Sequence, residues 1–221
     1  MHEDIGPDGP SPYRIMRLLN GRKALFYKDR QVSKGFRRMQ LSQTELPDGC
    51  AVRCDRNWFS VAGPRIVGRG YDAIDGLGCI YARVKIVFRG RREGKWYLVV
   101  DGEEIGAGYP HIQSEMEIDR KNILFIAAEA PTRNEFAVLN GKPASEVFDR
   151  IGANWYLVRG KILLAGEKDG LHRVYFDGKF IAGAFADIDD IQPSKDGTSV
   201  RIRMKRTKES EFDTIQIPLA A

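Results

Sequence analysis

Apolar and polar residues alternate along most of the chain in short runs that turn residues separate. Runs such as WYLVV from Trp96, EFAVL from Glu135 and HRVYF from His172 are rich in β-branched and aromatic residues. Downstream of each stands Asp-Gly or Asn-Gly, a dipeptide that supplies the positive φ angles of a tight hairpin turn. No window repeats apolar residues at the spacing of one helix face. The pattern therefore predicts short antiparallel strands and few helices.

An aromatic residue followed three positions later by Ile or Met recurs five times, and we call this the aromatic motif. The copies are Phe36 to Met39, Tyr71 to Ile74, Tyr109 to Ile112, Phe148 to Ile151 and Phe185 to Ile188. The aromatic residues are 35, 38, 39 and 37 positions apart, which leaves room for about four short strands in each unit. We expect these side chains to be core residues, because each unit must bury a bulky group against its neighbour; a ring of aromatics that stacks on a ligand is the alternative.

Four-stranded units of this length that recur several times are typical of propeller blades. The sequence predicts an all-β fold, a small β-propeller of about five four-stranded blades closed by pairing of the N- and C-terminal strands, which begin at Tyr13 and Glu211. An open array that pairs its edges in a homo-oligomer is the alternative. Residues 1–12 are expected to be a flexible lead-in and residues 13–221 a single domain. Its predicted repeats cover residues 24–57, 58–94, 95–133, 134–170 and 171–210.

Three stretches resemble parts of the TolB-type and WD-like propeller repeats. FDGKF from Phe176 resembles the strand end of such a repeat, GYDAI from Gly70 its turn, and SKDGTSVRI from Ser194 its hairpin. The resemblance spans residues 24–210 and is one of pattern. It implies a propeller fold and far less about function, since this fold carries many functions.

The first twelve residues contain no apolar run that would serve as an export signal. The strongly apolar stretch from Ile123 to Ala128 is far too short to span a bilayer. Cys50, Cys54 and Cys79 are too few for a disulfide framework, and we expect them to be buried thiols rather than a metal site with His111. These features predict a cytoplasmic protein with no membrane partner.

Signatures of catalysis are missing: the sequence has no Gly-x-Ser-x-Gly elbow, no phosphate loop and no His-Glu-x-x-His. We therefore assign no catalytic residue, metal or cofactor, and expect an interaction module rather than an enzyme. Aspartates that follow the aromatic motif could form an acidic rim suited to a glycan, or could simply cap turns. They are Asp72, Asp75, Asp149, Asp187, Asp189 and Asp190.

Basic residues alternate with apolar ones in two strands. Arg201, Arg203 and Lys205 alternate with Val200, Ile202 and Met204, which predicts one basic and one apolar face, and a similar pattern begins at Arg83. The residues predicted to bind a partner are Arg83, Lys85, Arg89, Arg91, Arg92, Arg201, Arg203, Lys205 and Arg206. In a closed ring they would form one arc, to which Arg14, Arg17, Arg22, Lys23, Arg53 and Arg56 also belong. The competing interpretation is that these cations only protect sheet edges from aggregation.

A net charge of +5 and a pI near 9.1 favour acidic partners. The sequence thus predicts a scaffold or interaction module that binds an acidic macromolecule, either nucleic acid or an acidic protein, through a basic flank. The alternative is a small glycan-binding or glycoside-hydrolase-like propeller that uses the acidic rim.

Overall fold

The computed structural model describes residues 5–6, 9–10, 12–42, 49–80, 85–119 and 121–219. Their regular elements are all β-strands, and within each sheet the strands that are consecutive in sequence lie side by side. In this part of the chain no helix is long and apolar enough to cross a membrane. The all-β prediction is confirmed. The chain divides into two compact units, Met1–Gly108 and Tyr109–Ala221.

The first unit holds one short pair of strands and three further sheets. The pair is β1 (Ile5–Gly6) and β2 (Gly9–Pro10). A three-stranded sheet follows with β3 (Tyr13–Arg17), β4 (Lys23–Tyr27) and β5 (Arg30–Gln31). The next sheet has β6 (Met39–Ser42), β7 (Gly49–Cys54), β8 (Asn57–Ala62) and β9 (Arg65–Tyr71). The last has β10 (Ala73–Ile80), β11 (Lys85–Arg92), β12 (Lys95–Val100) and β13 (Glu103–Tyr109), of which only the final residue falls in the second unit.

The second unit continues the same up-and-down order. Its first sheet has β14 (His111–Ile118), β15 (Ile123–Ala128), β16 (Glu135–Leu139) and β17 (Lys142–Pro143). The second has β18 (Arg150–Val158), β19 (Lys161–Lys168), β20 (Leu171–Phe176) and β21 (Lys179–Phe185). The third has three strands, β22 (Asp187–Pro193), β23 (Ser199–Lys205) and β24 (Asp213–Pro218).

The aromatic motif links each of these sheets to the next. Tyr71, Tyr109 and Phe185 end the fourth strand of a sheet, and the Ile three positions later lies at the start of the following sheet. Phe36 and Phe148 make isolated bridges at the equivalent place. In the part of the chain that the structure describes, five copies of the motif therefore separate six sheets of three or four strands. The number of copies thus equals the number of junctions between sheets, not the number of sheets.

Within the described residues, neither β3 nor β24 extends a sheet from the other end of the chain. β3 pairs with β4 from Tyr13↔Tyr27 to Arg17↔Lys23, and β24 pairs with β23. Each of them thus belongs to a sheet made of consecutive strands. Apart from β1, β2 and Pro12, the predicted lead-in lies outside the described residues.

Neighbouring sheets within a unit pack face to face, and the motif residues lie in that packing. The side chains of Tyr71 and Phe148 are 1% exposed, and Tyr109 and Phe185 are also buried, while Phe36 is half-buried. The prediction that these aromatics are core residues is confirmed for the four buried ones. Within the second unit the sheet β18–β21 has a neighbouring sheet on each face, and its strand β19 has a run of consecutive buried residues.

Candidate functional site

The alternation predicted for β23 is confirmed. Val200, Ile202 and Met204 are fully buried, whereas Arg201 and Arg203 are exposed and Lys205 is half-exposed. Successive side chains of a strand point to opposite faces, so the three basic groups share one face of the last sheet.

Acidic and aromatic groups nevertheless surround this face. The Arg203 guanidinium forms an ion pair with Asp189 at 2.9 Å, and Arg206 forms one with Asp213 at 3.6 Å. Arg203 and Lys205 both lie over the ring of Phe212, 5.1 and 4.6 Å from its centroid. Arg201 donates a hydrogen bond to the Gln192 side chain. Much of the positive charge on this face is therefore compensated locally.

The alternation predicted for the second strand, β11, is wrong. Val87 and Phe88 are adjacent and both buried, so burial does not alternate along this strand. Arg89 is only 12% exposed at its side chain and forms an ion pair with Asp75. It also lies over the Trp96 ring at 6.0 Å.

The other basic residues of β11 divide into two kinds. Arg92 is held by Glu104 at 3.3 Å and lies over the Tyr97 ring at 5.2 Å, so its contacts are structural. Arg91 is exposed, Lys85 is half-buried, and neither forms an ion pair within the part of the chain that the structure describes. Arg83 lies outside the described residues. Since β11 and β23 belong to different units, the predicted continuous arc stays a prediction.

A denser group of cations lies at one end of two sheets of the first unit, β3–β5 and β6–β9. We call it the N-terminal basic surface, and its members are Arg17, Arg22, Lys23, Lys34, Arg37, Arg38 and Arg56. All of them are exposed except Lys23, which is half-buried. Within the described residues none of the seven forms an ion pair.

Backbone contacts bring these residues together. Arg17 lies directly opposite Lys23 across β3 and β4, and Lys23 exchanges two backbone hydrogen bonds with Phe36, at 2.8 and 2.7 Å. These bonds place Lys34, Arg37 and Arg38 beside the β3–β4 turn. The Arg38 carbonyl then accepts a hydrogen bond from the Asp55 amide at 2.9 Å, which brings the β7–β8 turn and its Arg56 to the same end.

The charge balance of this region is unusual. Residues 12–42 contain nine Lys and Arg and a single carboxylate, Asp29, an excess larger than the +5 of the whole chain. That carboxylate pairs with Arg14 at 2.7 Å. Like charges directly opposite on paired strands, as in Arg17 and Lys23, destabilise a sheet. The first sheet therefore carries a charge arrangement that stability alone does not favour.

Sequence reasoning found only part of this surface. Arg17, Arg22, Lys23 and Arg56 were expected in the basic arc, but Lys34, Arg37 and Arg38 were missed. Their signal is the string KGFRRM, where three cations flank the first aromatic of the repeat. The link between two sheets exposes the residues beside the aromatic, so charges in this position lie on the surface.

The aspartates of the predicted acidic rim mostly have structural partners. Asp72 accepts a hydrogen bond from the Glu93 amide at 3.2 Å, and Asp149 accepts one from the Asp169 amide at 2.8 Å, so both cap turns. Asp75 and Asp189 are in the ion pairs described above. The turn-capping alternative thus accounts for Asp72 and Asp149.

Cys50 and Cys54 are buried in the sheet that contains β7, as expected. Burial raises the pKa of Cys50 to about 12 and that of Cys54 to about 11, which keeps both thiols protonated and unreactive. Within the described ranges no group of three or more His, Cys, Asp or Glu could hold a metal ion. The side chain of Cys79 is outside the described part.

The chain is similar to β-propellers of known structure. It is 12% identical to the Dos1 propeller, with a TM-score of 0.37, and the match covers 97% of this chain and 66% of that one. The β-propeller domain of the Trilobed protease from Pyrococcus furiosus, described as having an open velcro topology, is 13% identical, with a TM-score of 0.38 and coverages of 96% and 77%. The dihydro-heme d1 dehydrogenase NirN is 10% identical, with a TM-score of 0.38 and coverages of 97% and 56%.

This chain thus spans less than two thirds of the length of the Dos1 and NirN chains. No protein-family model matches the sequence, and no curated protein matches it.

Proposed function

We propose that the protein is a non-enzymatic interaction module that binds an acidic macromolecule through the N-terminal basic surface. The observation that carries this proposal is a group of seven cations at one end of two sheets, none of them in an ion pair within the described residues. Clustered positive charge attracts a polyanion over long distances and gains free energy when counterions are released.

Contacts outside this surface would extend the interface. Arg53 is exposed and lies over the half-buried ring of Trp58 at 6.0 Å, on strands next to the β7–β8 turn. An aromatic ring beside a cation is suited to stacking on a nucleic-acid base. Of the cations on β11 and β23, Lys85, Arg91, Arg201 and Lys205 lack a carboxylate partner in the described part of the chain, and we propose them as additional, independent contacts for an acidic partner.

The proposed scaffold is a small β-propeller in which the repeated sheets are blades. Up-and-down sheets of three or four strands, repeated about every 37 residues, support it. We also propose that the ring closes and that each of the repeated sheets is one blade. Six sheets favour six blades over the five that the motif count predicts.

Direct binding measurements test the partner class. Fluorescent single-stranded and duplex oligonucleotides and a polyglutamate chain would be titrated with the protein at low and at physiological salt. We expect binding to at least one of these polyanions, weakened as salt rises. The neutralised variant Arg37→Gln/Arg38→Gln/Arg56→Gln should bind less tightly, since the three side chains are exposed.

The matched control neutralises three exposed lysines of the second unit, Lys142→Gln/Lys179→Gln/Lys195→Gln. Both variants lose the same net charge, so only a local role of the basic surface distinguishes them. Equal affinities of the two variants would contradict the proposal. Binding of a glycan array together with no affinity for any polyanion would favour the acidic-rim alternative instead.

A further inference from the structure

A polar cavity of about 270 Å³ lies in the second unit, between the sheet β18–β21 and the first strand of the last sheet. Five polar side chains line it: Arg150, Asn154, Glu167, His172 and Asp187. Arg150, Glu167 and His172 lie directly opposite one another on three adjacent strands, β18, β19 and β20. The proposed binding of an acidic partner through the N-terminal basic surface does not use this cavity.

The corresponding gap between the two preceding sheets is filled. The Gln113 amide donates hydrogen bonds to the Glu135 carboxylate at 3.0 Å and to the Ile151 carbonyl at 2.9 Å. The Ile151 amide donates to the other oxygen of Glu135 at 2.5 Å. Two polar side chains thus link three strands, β14, β16 and β18, at this point.

The repeat shows why the next gap is open. In the preceding repeat, Gln113 follows the Ile of the aromatic motif and Glu135 lies opposite the next motif aromatic, Phe148. In the repeat with the cavity, Gly152 follows the Ile and His172 lies opposite the next motif aromatic, Phe185. Gly152 and His172 therefore stand where the preceding repeat has Gln113 and Glu135. A Cβ atom at Gly152 would meet no other atom within 4 Å. The cavity exists because the bridging Gln–Glu pair is replaced.

The lining groups do not satisfy one another. Within the described residues, none of the five polar side chains makes a hydrogen bond or an ion pair, whereas Glu135, which stands at the position of His172 in the preceding repeat, accepts two hydrogen bonds. Arg150 and Glu167 are opposite in register and yet form no ion pair in the described part. Charges of both signs consequently face the same cavity without neutralising each other.

We propose that this cavity binds a small zwitterion of the amino-acid class. The Arg150 guanidinium supplies planar donors that suit a ligand carboxylate. Glu167 and Asp187 supply carboxylates for an ammonium group, and Asn154 and His172 add further hydrogen-bonding groups. A cavity of this volume, slightly below the range of ordinary small-molecule pockets, admits a ligand of few atoms. A neutral polyol would leave the unpaired charges without charged partners.

An NMR titration of the full chain tests this assignment. The standard amino acids would be added one at a time, with glucose, acetate and ethylammonium as probes that lack one or both charges. We expect at least one amino acid to shift amide signals of residues 150–154, 167–172 and 187–188. Its affinity should exceed that of the other probes by about tenfold or more, because hydrogen bonds to charged groups are among the stronger ones.

A designed variant, Gly152→Gln/His172→Glu, restores the residues of the preceding repeat and should abolish these shifts. Arg150→Gln should weaken binding by about tenfold or more, since it removes the cation but not the cavity. Lys179→Gln, an exposed change on β21, serves as the control and should bind as the wild type does. Equal binding of glucose, unchanged binding by both cavity variants, or no amide shift with any amino acid would each overturn the proposal.

Discussion

The ring of Phe148 lies directly over Gly166, and a Cβ atom at Gly166 would stand 2.4 Å from Cδ1 of that ring. Tyr71 and Gly90 have the same relationship in the first unit, with a distance of 2.5 Å. In both repeats the second strand carries a glycine opposite the Ile of the motif, which makes room for the aromatic side chain. The aromatic residue of the motif therefore packs against the glycine of this second strand.

Substituting Ala for Gly166 should destabilise the protein. The added methyl group overlaps a fully buried ring that cannot move away without disturbing the core, a change that typically costs about 1–3 kcal/mol. The midpoint of chemical denaturation measures the loss. Gly152→Ala is the control, since neither glycine has a positive φ and the Cβ at 152 meets no atom. Equal midpoints of the two variants would show that the ring does not constrain Gly166.

Two neighbouring arginines of β11 should respond differently to the same substitution. Arg92 contacts Glu104 and the Tyr97 ring, whereas Arg91 is exposed. We expect Arg92→Gln to lower the denaturation midpoint clearly, because Glu104 loses a charged partner at a side chain only 13% exposed. Arg91→Gln should change the free energy of unfolding by less than about 0.5 kcal/mol. The opposite order would mean that Arg92 is free to bind a partner.

Glu117 should make stability depend on pH. Burial raises the pKa of this carboxyl above its ordinary value, although its hydrogen bond from the Leu157 amide acts in the other direction. A raised pKa in the folded state means that folding favours the protonated form. This contribution to stability is complete below the unfolded-state pKa and is lost as the pH rises through the folded-state pKa.

The variant Glu117→Gln keeps an acceptor for the Leu157 amide and cannot ionise. Relative to the wild type, it should therefore be more stable at about pH 7 than at about pH 4. Comparing the two proteins at each pH cancels the titration of all other groups. A stability difference that is the same at both pH values would show that the Glu117 carboxyl titrates alike in both states.

The sequence predicted the strands and the repeat well, because both depend on local pattern. The period of the aromatics and the turn dipeptides such as Asp177-Gly178 are visible without any tertiary information. The sheet boundaries were less accessible. A repeat can be counted from any residue, so its period does not show where a sheet begins. Strand pairing shows it: β9 pairs with β8 and ends at Tyr71, whereas β10 begins at Ala73 and pairs with β11.

The candidate site was harder to predict, because charge alone does not reveal which cations have partners. Arg92 and Arg201 look alike in the sequence, but only a folded sheet places Glu104 beside Arg92. The alternation of β23 was visible in the sequence, whereas in β11 the adjacent residues Val87 and Phe88 are both buried. The cavity at His172 required the hydrogen bonds of the preceding repeat as a comparison.

The salt dependence of polyanion binding tests the central claim most directly. Affinity for a single-stranded oligonucleotide would be measured at several salt concentrations for the wild type, the Arg37→Gln/Arg38→Gln/Arg56→Gln variant and the lysine control. Each lost phosphate contact lowers the slope of log affinity against log salt by about 0.7, so the first variant should lose up to about 2. The control should keep the wild-type slope. A wild-type slope and affinity in the arginine variant would contradict the proposal that the N-terminal basic surface binds an acidic partner.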